Sequence, residues 1–353
     1  MAMFANQTPN LYDWAAMAQP DGKIGYIVNL MAQCNQVVED AIAKVGNQPM
    51  GHEVSLVTGL PQPSWKQNNQ GIAATKPLFG KEKFSIGILR DYGMVDKDEA
   101  ELNGEVANFR LQQAKTHIQG MAQKVSSAIF YANELTTPAS TTGLTLYYNS
   151  LTIATSATAA NILSAGGTAS SNASLWLNGW SDEGGLALLF PKGSVAGLVH
   201  EDKGDIVPLY DVNGLRYEGF TDVFTWKLGV AIENWQFQAR IANIDTTTTA
   251  GGLLSTTPPD LFALMSAAVN ILPHTTPRGS GITKTDDPNG NIGHKFAWYS
   301  NRTIKTAMEI QAIRNKNVLL GPTEYSGEPV LQWRSIPIRL NDQMINSESA
   351  VTF

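Results

Sequence analysis

VDKDEAELNGEVANFRLQQAKTHIQGMAQKVSSAIFY, from Val95 to Tyr131, is the stretch whose period decides the architecture. Apolar residues recur at Leu102, Val106, Phe109, Ala114, Ile118, Met121, Val125 and Ile129. The steps are mostly three and four, so these side chains share one stripe of a helix. Asp96 with Glu99, or Asp98 with Glu101, offers a capping-box-like start. Acids come early (Asp98, Glu99, Glu101, Glu105) and bases late (Arg110, Lys115, Lys124), an order that suits the helix macrodipole. Asn133 and Pro138 mark the exit. The spacing predicts a spine helix over 98–131, roughly 50 Å long, where an average globular helix has about 11–12 residues. One apolar stripe means that it lies along a surface and is not engulfed. Gly104 and Gly120 are its weakest points, each about 1 kcal/mol worse than Ala.

Upstream, residues 1–20 read as irregular, and DGKIGYIVNLMAQCNQVVEDAIAKVG from Asp21 as a second helix. Ile24, Ile27, Met31, Cys34, Val38 and Ala41 step 3, 4, 3, 4, 3, an a/d seam of under three heptads. It fits a helix docked on its own domain or an arm packed on a neighbouring subunit. Residues 48–95 differ: prolines and glycines punctuate them, and two alternating runs, His52–Thr58 and Phe84–Leu89, flank a polar middle. This predicts a long two-stranded excursion with its tip near Gln67–Thr75. An isolated ribbon is marginal in water, so something outside its own strands supports it.

Downstream, Leu135–Ser181 carries no charged residue, yet Ser, Thr, Asn and Gly break its apolar groups too often for a membrane span. Thr158–Ala165 reads as a short helix, Ser174–Trp180 and Leu186–Phe190 as strands. Phe224, Trp226, Leu228, Val230 and Ile232 alternate on even positions; beyond Glu233-Asn234 the phase moves to Trp235, Phe237, Ala239 and Ile241. A phase change implies a turn or bulge, hence either a long bent strand or a tight hairpin. The aromatic residues of this block, Trp226 among them, are expected in the core. Thr246–Pro259 is a linker; Asp260 caps a helix over Leu261–Leu272, stopped by Pro273. A long loop, Pro273–His294, leads to a strand at Lys295–Tyr299, a helix at Asn301–Asn315 and a strand pair at Val330–Leu340.

The chain has 353 residues and a net charge of −6, with no Lys/Arg-rich run, so a dedicated nucleic-acid patch is not indicated. Cys34 is the only cysteine and no intrachain disulfide can form. No basic leader precedes the first apolar cluster, so no signal peptide is expected. The histidines, His52, His117, His200, His274 and His294, form no metal-ligand spacing. No phosphate loop, dinucleotide fingerprint or nucleophile elbow occurs. Asp287–Ile292 imitates a calcium loop but has Ile at the sharp-turn glycine and Trp298 at the bidentate glutamate. The expectation is no catalytic residue, no metal and no cofactor. Long projections without a site suit a protein whose business is contact.

PDGKIGYIVNLMAQCNQVVED (20–40), GHEVSLVTGLPQPSWKQNNQG (51–71), VDKDEAELNGEVANFRLQQAKTHIQGM (95–121), ASLWLNGW with PKGSVAGL (173–180, 191–198), WQFQARIANID (235–245) and IPIRLND (336–342) occur in this order. Together they resemble the major capsid proteins of tailed phages with the Hong Kong 97-type fold, in their short-tailed branch. The resemblance implies an α+β chain: an N-terminal arm over 1–47, an extended loop over 48–95, a peripheral domain with the spine helix over 96–250, and an axial domain with the C-terminal strands over 251–353. It implies inter-subunit contacts at Ile24, Ile27, Met31 and Val38 of the arm and at Leu60, Pro61, Pro63, Trp65 and Lys66 of the loop. It implies pentamers and quasi-hexamers of an icosahedral shell, assembled in a bacterial cytoplasm around double-stranded DNA. Scaffolding, decoration and portal proteins are the partners it suggests, without a membrane. The strand block 174–244 precedes the Asp260 helix, so the sheet order is expected to be permuted. Two other readings remain: a cellular compartment shell of the same fold, and a β-rich soluble hydrolase with unrecognised carboxylates.

Overall fold

The computed structural model describes residues 35–101, 106–182, 184–204, 207–210, 213–248, 251–273, 294–314, 321–325, 328–334 and 336–352. The chain runs through a helical turn α1 (Val37–Asp40), β1 (Ala43–Val45), β2 (Gly51–Gly59), β3 (Leu78–Asp96), α2 (Lys97–Ala100), α3 (Val106–Tyr131) and α4 (Leu144–Tyr147). Then come β4 (Ile162–Ser164), β5 (Asn172–Trp180), β6 (Leu186–Phe190), β7 (Leu198–Asp202), β8 (Val207–Tyr210), β9 (Arg216–Ile232) and β10 (Gln238–Asp245). The last part is α5 (Leu261–Ile271), β11 (Lys295–Ser300), α6 (Arg302–Arg314), β12 (Gly321–Tyr325), β13 (Glu328–Trp333) and β14 (Ile336–Leu340).

The spine differs from its expected form at the start. The backbone N–H of Asp98 donates to the Asp96 carboxylate at 2.9 Å, but the helix so capped is the single turn α2. α3 runs from Val106 and has no acid in its first turn, while Asp98 and Glu99 belong to the turn α2. Gly104 lies outside the described residues. The 26 residues of α3 span about 39 Å at 1.5 Å each. Phe109, Met121, Val125, Ser126, Ile129 and Phe130 are buried, while Ile118, expected on the stripe, is 42% exposed. The stripe is therefore apolar against the sheet mainly in the C-terminal half. The N-terminal half has a smaller apolar cluster, Phe109 with Val95, Ala100 and Phe220, and polar contacts beside it: Arg110 reaches Asp202 at 2.8 Å and Asp222 at 3.0 Å, and His117 reaches Asp91 at 2.6 Å.

One large open sheet connects the strands in the order β12-β13-β14-β11-β5-β6-β9-β3-β2, with β10 beside β5, β4 beside β10, β1 beside β6, and β7 and β8 beside β9. Every residue of β5 is buried, because both faces of that strand are covered. Period-2 alternation then sorts its side chains. Trp176 and Trp180 enter a first core with Phe84, Ile86, Val125, Ile129, Phe130 and Leu228. Leu175 and Leu177 enter a second core with Ile241, Met265, Val269, Trp298, Met308 and Ile336. Residues on both sides of position 250 contribute to this second core. β5 lies between β10 and β11, so a strand that follows the 246–259 segment pairs with one that precedes it.

The phase change near 233 makes neither of the two expected forms. β9 pairs with β3, β6, β7 and β8, whereas β10 pairs with β4 and β5. A single 3-10 turn at Trp235–Phe237, capped by the Asn234 side chain, carries the chain between these neighbourhoods. The segment 158–165 is a 3-10 turn, Ala157–Asn161, followed by β4 and not a helix, since Ile162–Ser164 find ladder partners on β10. Trp226 is half-buried at the edge of the first core. The Asp260 cap is present: Ala263 N–H donates to its carboxylate at 3.1 Å. The calcium-like turn and most of the 273–294 loop lie outside the described residues.

Candidate assembly surface

β2 and β3 form an antiparallel ribbon, Gly51 opposite Ser85 and Gly59 opposite Leu78, with a bulge between Val57 and Gly59. Only the root of the ribbon is covered. Phe84 and Ile86 are buried, and from Ile86 to Asp96 β3 leaves β2 and pairs with β9. Beyond the paired part, the connection 60–77 is exposed throughout. A single turn, Gln70 N–H to Gln67 carbonyl at 3.3 Å with Asn69 at φ 60°, interrupts its extended course. Leu60 is 76% exposed and Trp65 102%, with Leu78 and Phe79 also exposed. Pro61, Pro63 and Lys66 lie on the same bare segment.

The nine predicted contact residues fall in three places. Ile24, Ile27 and Met31, like Cys34, lie outside the described residues. Val38 is half-buried and packs against the first core of its own chain. Leu60, Pro61, Pro63, Trp65 and Lys66 share the ribbon tip, where this chain provides no cover for them. A fully exposed indole and an exposed leucine are poorly hydrated surface, and burying them on another molecule is worth about 25 cal/mol per Å².

Three buried carboxylates fix the roots of the peripheral segments, and the sequence pattern gave no sign of them. Asp40, at the root of the arm, accepts from Lys295 Nζ at 2.7 Å, Tyr299 hydroxyl at 2.9 Å and Arg339 Nη2 at 3.2 Å. Burial, then the Asp40 charge, push the Tyr299 hydroxyl far up, so it stays a donor. Glu233, at the root of the ribbon, is bonded by Lys44, by His52 Nε2 at 3.0 Å and by Gly184 N–H at 2.7 Å. Burial alone would raise the Glu233 carboxyl, but the Lys44, Gly184 and His52 bonds outweigh it and hold it below the usual range. Glu348, near the C-terminus, takes Arg240 Nη2 at 2.8 Å, the Ser174 hydroxyl and the Tyr131 hydroxyl at 2.6 Å. Each carboxylate joins elements far apart in sequence, so no local spacing could reveal it.

The remaining polar groups are structural in their contacts. His117 and His200 stack on the buried Phe224 ring, with centroids at 5.5 and 4.8 Å, and each holds an aspartate. His294 stacks on Phe237 at 3.9 Å. Among the described residues, no group of three or more His, Cys, Asp or Glu is placed to hold a metal ion. Among them too, no helix is long and apolar enough to cross a membrane.

Comparison with known proteins bears on this geometry. The family model of major capsid protein GP7 matches residues 19–352. A near-atomic structure of bacteriophage epsilon15 superposes with a TM-score of 0.72 and 29% identity, over 99% of both chains. The capsid of bacteriophage JBD30 gives a TM-score of 0.45 at 7% identity, over 89% of this chain and 92% of that one. The SrpI encapsulin of Synechococcus elongatus gives 0.44 at 9%, over 64% and 93%. The last two scores are too low to carry an argument. No curated protein matches the chain. The fold is the mixed α+β, Hong Kong 97-type fold of phage capsids.

Proposed function

This chain belongs to the major capsid protein GP7 family and is a structural shell subunit of a phage virion, and from that premise we propose how its copies close the shell. The ribbon of one subunit lies over a neighbour, and the arm, residues 1–47, packs on another. Ile24, Ile27, Met31 and Val38 supply the apolar contacts of the arm; Leu60, Pro61, Pro63, Trp65 and Lys66 supply those of the ribbon tip. Residues 48–95 act as the extended loop, 96–250 as the peripheral domain, and 251–353 as the axial domain that meets its copies around symmetry axes.

The observation that carries this reading is the ribbon tip, a largely polar segment that holds Leu60 and Trp65 bare, with no cover from the described residues of its own chain. Tip-on-neighbour contacts are heterologous, and heterologous contacts that close on rotation axes make rings. Rings of five and quasi-six tile an icosahedral shell. An interface of about 2,000 Å² or more per subunit offsets the entropy of ordering the projections. The acidic chain, with net charge −6, suits a shell from which packaged double-stranded DNA slides without sticking. Assembly takes place in the host cytoplasm, with scaffolding, decoration and portal proteins as partners. The subunit performs no catalysis.

Deletion of Pro63–Pro77 tests this. The variant is expected to fold, with the circular dichroism and unfolding midpoint of the parent, and to form no shells by sedimentation and electron microscopy. A deletion that leaves assembly intact would sink the proposed role of the ribbon.

A further inference from the structure

An apolar groove of about 220 Å³ opens at the root of the ribbon, between α3 and the sheet. Gly87, Leu89, Val125, Ala128 and Leu228 line it, with the Lys124 stem and the 137–141 loop at its margin. Glu134, just before that loop, accepts from Ser85 Oγ at 2.7 Å and Thr142 Oγ1 at 3.2 Å, next to the groove residues Gly87 and Thr141 in sequence. No cation pairs with Glu134 among the described residues. The ribbon tip can supply a cation to Glu134: between Pro61 and Pro77 its charged residues are Lys66 and Lys76 and its aromatic residue is Trp65, while Lys124 in the groove lining carries the same sign and keeps the tip lysines on the Glu134 side.

We propose that this groove is the acceptor for the ribbon tip of a second copy, with the Trp65 indole against Ala128 and Leu228 and Lys66 paired to Glu134. The proposal rests on the reading of the ribbon as an inter-subunit loop and names the place where it lands. The tip cannot enter the groove of its own chain. From Leu78 to Gly87 the paired strand holds them roughly 30 Å apart at 3.3 Å per residue. A planar indole suits a slot bounded by a helix on one side and a sheet on the other, and Lys124 gains a cation–π contact with it. The acid beside the groove and the bases on the tip give the contact its register. Each subunit then carries a donor at the ribbon tip and an acceptor at the ribbon root, so one contact repeats from copy to copy around a ring.

The test is a disulfide trap in assembled shells. In a Cys34→Ser background, Ser64→Cys with Ala139→Cys, which keeps the Trp65 indole, is oxidised after assembly and run on a non-reducing gel. A ladder of covalent oligomers is expected from the double variant and none from either single variant. Shells of the double variant that give no ladder overturn the groove as acceptor. Ala139→Cys alone with the native Cys34 is the companion variant, and oligomers there would place the arm in the groove and overturn the proposal as well. Trp65→Ala is expected to raise the subunit concentration needed for assembly about tenfold or more, since buried aromatic anchors carry most of an interface. The deletion of Pro63–Pro77 separates the two levels. If the deletion blocks assembly but the trap gives no ladder, only the acceptor is wrong; if the deletion still assembles, the ribbon reading itself falls.

Discussion

β5 and the ribbon tip are both extended and both carry tryptophan, yet every residue of β5 is buried and every residue of 60–77 is exposed. Trp176 is 0% exposed, between Phe130 and Tyr148 and under the Arg240 guanidinium, whereas Trp65 is 102% exposed. The two tryptophans do not differ in kind. What differs is who covers them. β5 lies at the centre of a sheet with a core on each face, so its own chain satisfies it. The ribbon leaves the sheet and has only itself, and two strands alone cannot bury a face. On the proposed reading, stability resides in the first region and assembly in the second, and mutations should separate the two properties.

The strongest test is at the buried end. Trp176→Ala should cost the isolated subunit about 3–5 kcal/mol in urea unfolding. Glu348→Ala, which leaves the buried Arg240 without its carboxylate, should cost a similar amount, about 3–5 kcal/mol. A loss below 1 kcal/mol at both sites would mean that β5 is no better supported than the ribbon.

The next effect is pH-dependent. Glu233 has a carboxyl pKa lowered in the folded chain, so it contributes stability above its unfolded value, and that contribution disappears as pH falls through the folded value. Glu233→Gln should flatten the acid limb of the stability–pH curve measured by chemical unfolding, with its deficit greatest at neutral pH. An unchanged acid limb would remove Glu233 as the pin of the ribbon root. Asp260→Ala should cost about 1 kcal/mol through the lost cap of α5, seen as a lowered unfolding midpoint.

The smallest effect on stability, and the largest on assembly, belongs to the tip. Trp65→Ala should leave the unfolding midpoint within about 0.5 kcal/mol of the parent, as for a surface position, while shell formation fails or demands more subunit. Destabilisation by Trp65→Ala as large as by Trp176→Ala would erase the contrast between the two regions.

Much of this could be read in advance wherever the signal was local. The ribbon showed in two alternating runs about a proline-bearing middle, α5 in its aspartate cap and terminal proline, and β5 in the stretch Ser174–Trp180. The spine was legible as a helix but not in its start. Acids at 98–105 looked like one N-terminus, while the structure places a separate capped turn at Lys97–Ala100 and α3 at Val106–Tyr131. Trp226 had the right parity for the core, yet parity gives the face and not the depth, and it lies at a margin. The phase change at Glu233-Asn234 was visible, but whether β9 and β10 would pair with each other depends on strands far away in sequence.

The sequence by itself determined most of the long elements and their order, and marked the ribbon as a segment that cannot bury itself, because helical and strand periods, caps and turn residues act over a few residues. Only the tertiary structure decided where the polar pins lie. Asp40 meets Lys295 and Tyr299, Glu233 meets His52 and Lys44, and Glu348 meets Arg240 and Tyr131. A buried carboxylate is tolerable only where several donors converge on it, and that convergence is a property of packed strands and helices, not of any stretch of chain.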